Sequence, residues 1–475
     1  MPSRSRKRAA KRVKGEESGD VSSCLSHTAS EPVDSGSDEH HSPPTLAQNL
    51  PVEILSEIFA YAIPTTVPPL IKAATLPQWR AYFSLIFPLN LAVVCRTWRL
   101  TTLQTPALWT SIFIEVHSAP SRALKALGRC LSTLLDRSSG SRLGLRVGIY
   151  FSGTFQFAMA CNAVQPLLEC QRRWECVEIK FEESEKPKGG LVLNVGKLAM
   201  LKSLELHGGF WETHSHVGQP TTDESAAFLD LQLPLLRALN LRNLRQNARM
   251  PLVMAAHNLE ELIISVNMVE QARRPPICLE HLKKLTIVST CWSSDVLGSF
   301  RCPSLEELVL DGMTDRSFEE LHRFVQSSAM FLRVLRVSVM RYFSPGLDLL
   351  THLFQVLTMQ TKLAVLAIAA EKAEKEGRLD EALLMHLLSR SDPCTFRCCP
   401  NLEDLHICGV LGHEATFSRL VRRRWHVSPR SIRKMRFHNC WTFHKQGPPH
   451  ERLIRIEDES DYKEEGLDIE ATYAY

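Results

Sequence analysis

No stretch of this sequence strings together the roughly 18 apolar residues that a membrane-crossing helix needs, and no span is expected. The cationic start, MPSRSRKRAAKRVKG, has no apolar segment behind it, which argues against a secretory signal. The 14 cysteines include no C-x-x-C pair and are scattered, as at Cys95, Cys130, Cys278 and Cys302, mostly inside hydrophobic patterns. Buried free thiols in a reducing compartment, nucleus or cytoplasm, are the expectation. The densest sulfur and imidazole group, Cys394, Cys398, Cys399, His406 and Cys408, falls around a strand pattern and reads as core and turn residues, not as a zinc site. There is no Walker sequence, dinucleotide fingerprint, G-x-S-x-G elbow or H-E-x-x-H helix. Glu306 and Glu307 are adjacent on a strand pattern, so they point to opposite faces and make a poor acid/base pair. The chain is read as non-enzymatic, with no cofactor and no metal.

Charge is also scarce in net terms. Residues 1–15 hold seven Arg or Lys and no acid, so a total of +4 leaves −3 for the other 460 residues. That balance argues against a general nucleic-acid binder, and any cationic contact has to be local.

What is present divides into four spans. Residues 1–45, basic and then rich in Ser, Asp, Glu and His, carry no apolar period and are expected to be disordered. Their basic cluster reads as an import signal or as a solubilising tail. Residues 46–115 are expected to be a small helical module. Pro51 and Glu53 suit a first helical turn. Val52, Leu55, Ile58, Phe59 and Ala62 form an apolar stripe, and Pro64 ends it. A second helix follows, with Leu91, Val94, Cys95, Trp98 and Leu103 able to share a face, then Leu108, Trp109 and Ile112 after Pro106. So thin a core suggests either the start of a larger helical domain or a docking module completed by a partner.

The residues Leu50-Pro51-x-Glu53-Ile54-Leu55-x-x-Ile58-Phe59, Val94-Cys95-Arg96-x-Trp98-Arg99 and Pro106-x-Leu108-Trp109-x-x-Ile112 resemble an F-box, in particular the F-box-like proteins of mushroom-forming fungi. The resemblance implies a three-helix unit docking on the Skp1 adaptor of a cullin–RING ubiquitin ligase. It implies adaptor contacts from Leu50, Pro51, Ile54, Leu55 and Ile58 on the first helix. Val94, Cys95 and Trp98 would supply the second helix, and Leu108 and Trp109 the closing element. The stretch between the first two helices is about twenty residues longer than the compact pattern, an insertion that slow growth of loop-closure entropy tolerates.

From about residue 140 to 448 a motif L-x-x-L-x-[LIVF] recurs. Its nine first positions are Leu201, Leu236, Leu259, Leu282, Leu305, Leu332, Leu363, Leu402 and Ile432, with Trp174/Val177/Ile179 a plausible earlier copy. Successive copies start 23 to 39 residues apart, each a short alternating strand signal followed by a return segment. Return helices are expected at 228–231, 318–324 and 379–388. The pattern resembles irregular leucine-rich repeats, which implies a curved solenoid with a parallel sheet. Asn267 and Cys440 fall where that family often bonds turn backbone. The fold class is thus α+β/α/β, a helical module followed by a parallel-sheet repeat body.

Two charged regions close the chain. Arg419, Arg422, Arg423 and Arg424, followed by Arg430, Arg433, Lys434 and Arg436, form the strongest basic region, read either as a contact for an acidic or phosphorylated partner or as a solvated surface. Residues 449–475 are expected to be an acidic tail that neutralises this region or stays loose. Together the resemblances imply a substrate-recognition subunit joining a Skp1-type adaptor to an unknown target protein. A repeat scaffold outside the ligase, and at longer odds a nuclear nucleic-acid binder, stand as the alternatives.

Overall fold

The computed structural model describes residues 50–62, 88–116, 121–151, 157–181, 191–193, 198–208, 211–213, 233–243, 252–266, 276–289, 296–339, 347–370, 381–389, 396–426, 431–442, 456 and 459–472. The basic cluster at 1–15, most of the long insertion, the helix expected at 228–231, Asn267 and Arg430 lie outside them. Helices α1 (Val52–Tyr61), α2 (Leu89–Ala92) and α3 (Arg96–Gln104) lead to a 3-10 turn at Pro106–Trp109.

Among the described residues a parallel sheet of 13 strands follows, with its strands in chain order and its two edges unjoined. Its strands are β1 (Ser111–Val116), β2 (Leu145–Phe151), β3 (Trp174–Phe181), β4 (Ser203–His207), β5 (Ala238–Arg242), β6 (Glu261–Val266) and β7 (Lys284–Ser289). They continue as β8 (Glu307–Met313), β9 (Val334–Val339), β10 (Val365–Ala370), β11 (Asp404–Cys408), β12 (Lys434–His438) and β13 (Asp468–Thr472). The return segments include α4 (Ser121–Ser138), α5 (Phe157–Glu169), α6 (Asp315–Ser328), α7 (Leu347–Met359), α8 (Glu381–Leu387), α9 (Glu414–Trp425) and α10 (Glu459–Glu464). A helical region followed by a parallel-strand sheet with helices is compatible with solenoid-like stacking, and the sheet is not a closed barrel.

The register explains why the recurring motif makes strands. Leu204, Leu239, Leu262, Leu285, Leu308, Leu335, Leu366, Leu405, Met435 and Ile469 are Cα partners across successive strands. All are buried. The second interior position repeats this with residues such as Leu241, Ile264 and Ile287. A single strand has one flat row of side chains and cannot enclose it. Stacking removes each row from water at about 1.5–3 kcal/mol per large aliphatic side chain. Helices close the same face, as where the ring of Phe417 on α9 meets that of Phe437 on β12 at 5.5 Å. Buried Gln360 braces one step between units, its Oε1 accepting from Leu332 N at 2.6 Å and its Nε2 donating to Met330 O at 3.3 Å.

On the outer rim, the residue after the first motif position carries a charge in eight of the nine copies, Ala364 being the exception, and these charges meet the opposite sign next door. Lys202 pairs with Glu175 at 2.6 Å, Glu260 with Lys283 at 3.1 Å and Glu306 with Arg333 at 3.9 Å. Exposed pairs of this kind contribute little energy, but they favour the observed register over a slipped one.

The strands end in a turn whose signal lies one residue before the position singled out in the sequence. Seven residues after the first motif position stand Gly208, Asn243, Gly312, Gly409 and Asn439, all with positive φ. The N–H of Gly208, Gly409 and Asn439 donates to the end carbonyl of the following strand, at 2.9 to 3.0 Å. At the next position Cys440 directs its Sγ toward Ile407 O at 3.6 Å and His438 O at 3.4 Å.

Three boundaries differ from the sequence reading. The sheet begins at Ser111, not near 140, because Ile112 and Ile114 already bury an alternating face and pair in register with Val147 and Ile149. The helical region is not walled off either, since Leu55, Phe59, Leu108 and Trp109 belong to the same continuous core as the strands. The span read as an acidic tail contributes α10 and β13. Lys434 meets Asp468 at 2.8 Å, Arg436 meets Glu470 at 3.8 Å, and the buried Leu467, Ile469 and Tyr462 anchor the segment.

Gly409 has φ +75°, and a Cβ there would lie 2.7 Å from the Ala370 carbonyl oxygen. Gly409→Ala is expected to lower stability by about 2–3 kcal/mol. Gly466→Ala, at φ +95° with open space around it, should cost only about 1 kcal/mol. Urea unfolding followed by circular dichroism reads the difference, and equal losses would remove the steric part of this account.

Candidate functional site

The helical module is built around two tryptophans. Trp109 is 1% exposed and donates its Nε1–H to Thr102 O at 2.8 Å, with the Arg137 guanidinium 4.5 Å from its ring centre. Trp98 is half-buried and meets Phe59 edge-on at 4.9 Å, which ties α3 to α1. Cys95 starts α3 as its N-cap, its sulfur accepting from Trp98 N at 3.5 Å. A second link is the 3.2 Å hydrogen bond between the Ser56 and Thr105 hydroxyls.

This packing divides the residues proposed for the adaptor. Leu55, Leu108 and Trp109 are buried, so they cannot present a contact surface and instead support one. Leu50, Cys95 and Trp98 are half-buried. Pro51, Ile54, Ile58 and Val94 are exposed. The single stripe read on α1 is therefore two stripes. Leu55 and Phe59 face inward, while Ile54, Ile58 and Tyr61, spaced four and three apart, leave the core. Residues not singled out from the sequence join the exposed set. They are Val93 at 63% and Leu100, and Val52 and Leu103 from the apolar stripes of the two helices are exposed as well. The signal was available in the helical spacing, since α1 carries more large apolar residues than one buried stripe accommodates.

Exposed aliphatics at this density on so small a module call for a partner. A family model described as F-box-like matches residues 47–115. Residues 47–115 are an F-box-like domain. No curated protein matches the chain. The exposed positions on the F-box-like domain are thus the ones that remain available for its partner, and Leu55, Leu108 and Trp109 hold them in place.

The basic region does not converge. Arg424 is 1% exposed and clamps three carbonyls, donating to Leu387 O at 2.6 and 3.1 Å, Cys399 O at 3.0 Å and Cys398 O at 3.0 Å. Its guanidinium also lies 3.8 Å from the Phe396 ring centre. It is a structural brace for the end of α8 and the lead-in to β11, not a partner contact. Arg419, Arg422 and Arg423 lie on α9, whose Phe417 packs on the buried face of β12, whereas Lys434 and Arg436 lie on the opposite face. Arg433 sits on the rim 3.9 Å from Glu403. The α9 arginines and the β12 cations therefore form separate surfaces.

The sulfur group is similarly divided. Cys398 and Cys399 are buried with their sulfurs 3.5 Å apart, while His406 and Cys408 lie on the unburied face of β11, and Cys394 is outside the described residues. The hydrogen bond with Cys399 holds the Cys398 thiol below its ordinary range against the effect of burial, aided by His386 and the Arg424 charge. The same bond pushes Cys399 well up.

His406 meets His438 at 4.7 Å between ring centres. Burial, followed by the His438 and Arg436 charges, holds its pKa below the ordinary 6.5. The folded state therefore disfavours its proton, and the unfolded chain takes one up as pH falls through about 6.5. Stability should decline from there until the lower folded value is passed. His406→Gln is expected to lose less stability than the wild type between pH 7.5 and 5.5 in parallel urea titrations. Arg424→Lys, which cannot span three carbonyls, should cost about 2 kcal/mol or more at either pH.

Proposed function

We propose that this chain is the substrate-recognition subunit of an SCF-type cullin–RING ubiquitin ligase. The observation that carries the reading is the F-box-like domain at residues 47–115 with Ile54, Ile58 and Val94 exposed on it. In this reading the domain holds a Skp1-type adaptor, and the parallel sheet, taken as a run of irregular leucine-rich repeats, holds the target protein. The mechanism is positioning. A ubiquitin-charged enzyme brought by the cullin acts on a target kept at high local concentration, and no bond is made or broken by this chain.

The decisive contacts are large apolar groups that lose water on docking. Ile54→Asp/Ile58→Asp is expected to weaken capture of purified Skp1-type adaptor at least a hundredfold, equivalent to about 3 kcal/mol, with an unchanged circular dichroism spectrum and melting temperature. Leu55→Asp should instead unfold the module, since it places a charge in the core. If the folded wild-type chain fails to retain adaptor at micromolar concentration, the assignment fails and a repeat scaffold outside the ligase takes its place.

A further inference from the structure

The unburied face of the sheet changes character along its length. Near the first edge, Lys180 is paired with Glu205 at 3.1 Å and with Glu178. Across β6 to β8 the middle row is Ile263, Thr286 and Val309, with no charge. The same row then reads Arg336 on β9, Ala367 on β10, His406 on β11 and Arg436 on β12.

Two features of this last stretch make a site. First, β10 puts the methyl groups of Ala367 and Ala369 on this face, Ala367 between the long side chains of Arg336 and His406, and Ala369 between the short ones of Ser338 and Cys408. Strands lie about 4.8 Å apart, so Arg336 and His406 rise about 10 Å apart over an alanine floor, a slot wide enough for one extended chain. Second, Arg336 is exposed and has no ion-pair or hydrogen-bond partner among the described residues. Three other cations of this face are paired with acids, Lys284 with Glu261 at 2.9 Å, Lys434 with Asp468 at 2.8 Å and Arg436 with Glu470 at 3.8 Å. Beside Arg336 and Ala367, two residues back along their strands, Val334 and Val365 form an apolar step.

An uncompensated guanidinium over a small-residue floor, next to an aliphatic step, is complementary to one carboxylate with an apolar neighbour. It is a poor match for a nucleic-acid backbone. A repeating phosphate chain crossing these strands would run against Glu307, Asp404, Asp468 and Glu470, which share the face.

We propose that the slot over Ala367 and Ala369 receives an extended segment of the target protein, with an Asp or Glu side chain paired to Arg336 and an aliphatic residue over Val334 and Val365. The inference rests on the reading of the chain as a target-binding subunit and names the chemistry of the target.

The test uses the full-length chain and degenerate peptide pools with one fixed central residue: Asp, Glu, phosphoserine, Ala or Lys. The wild type should retain the Asp and Glu pools at least tenfold over the Ala and Lys pools. Arg336→Ala should erase that preference, Arg336→Glu should turn it toward the Lys pool, and Arg323→Ala on α6 should leave it unchanged. Ala367→Leu, which fills the slot without touching the charge, should reduce retention of the acidic pools about tenfold. Equal retention of all pools, retention of the phosphoserine pool alone, displacement of the acidic pools by an oligothymidylate, or an unchanged preference in Arg336→Ala would each overturn the proposal. Adaptor capture is measured in parallel. Lost peptide selectivity with adaptor capture intact counts against the slot alone, whereas acidic-pool selectivity without adaptor capture upholds the slot and counts against the ligase reading.

Discussion

The structure depends on one constraint: a five- or six-residue parallel strand cannot bury its own apolar row. Each row from Leu204 to Ile469 becomes interior only because its register partner lies directly beside it. Everything else answers to that requirement. The charges that follow most of the first motif positions favour the register, the left-handed residues at the strand ends turn the chain away, and helices such as α9 close the apolar face. Arg424 belongs to the same logic. A fully charged group in the core is tolerable only because three backbone carbonyls and an aromatic ring replace its water.

Much of this was legible in the sequence because repetition multiplies a weak signal. One L-x-x-L-x-L is ambiguous between helix and strand, but nine copies in phase are not, and β4 to β12 fall on them. The first strands were less visible. β1 and β2 use Ile112, Ile114, Val147 and Ile149 without a leading leucine in the same phase, so β1 resembled the end of the helical module and β2, though inside the repeat span, showed no copy of the motif. The last strand was hidden for an electrostatic reason. DIEAT looks like a solvated tail until Lys434 and Arg436 are seen to lie beside its acids, and proximity of that kind is not written in local composition.

The candidate site shows a similar division. Periodicity marked the apolar residues of α1 but not which of them go inside, because Leu55 and Ile58 differ only in which neighbour they meet. Trp98 and Phe59 settle that choice by packing on each other. Likewise the run of arginines at 419–424 looked like one surface in sequence. The helix that carries it sits across the sheet from Lys434 and Arg436, and it sends Arg424 into the interior.

The chain order of the strands also sets a distance. From β1, where the helical module joins the sheet, to β9, which carries Arg336, there are eight strand-to-strand steps, or about 40 Å measured along the sheet. Such a sheet behaves as a ruler with one graduation per strand. Gaining or losing a single unit would move whatever is held near Arg336 by about 5 Å relative to the module at the other end, while leaving both ends chemically untouched.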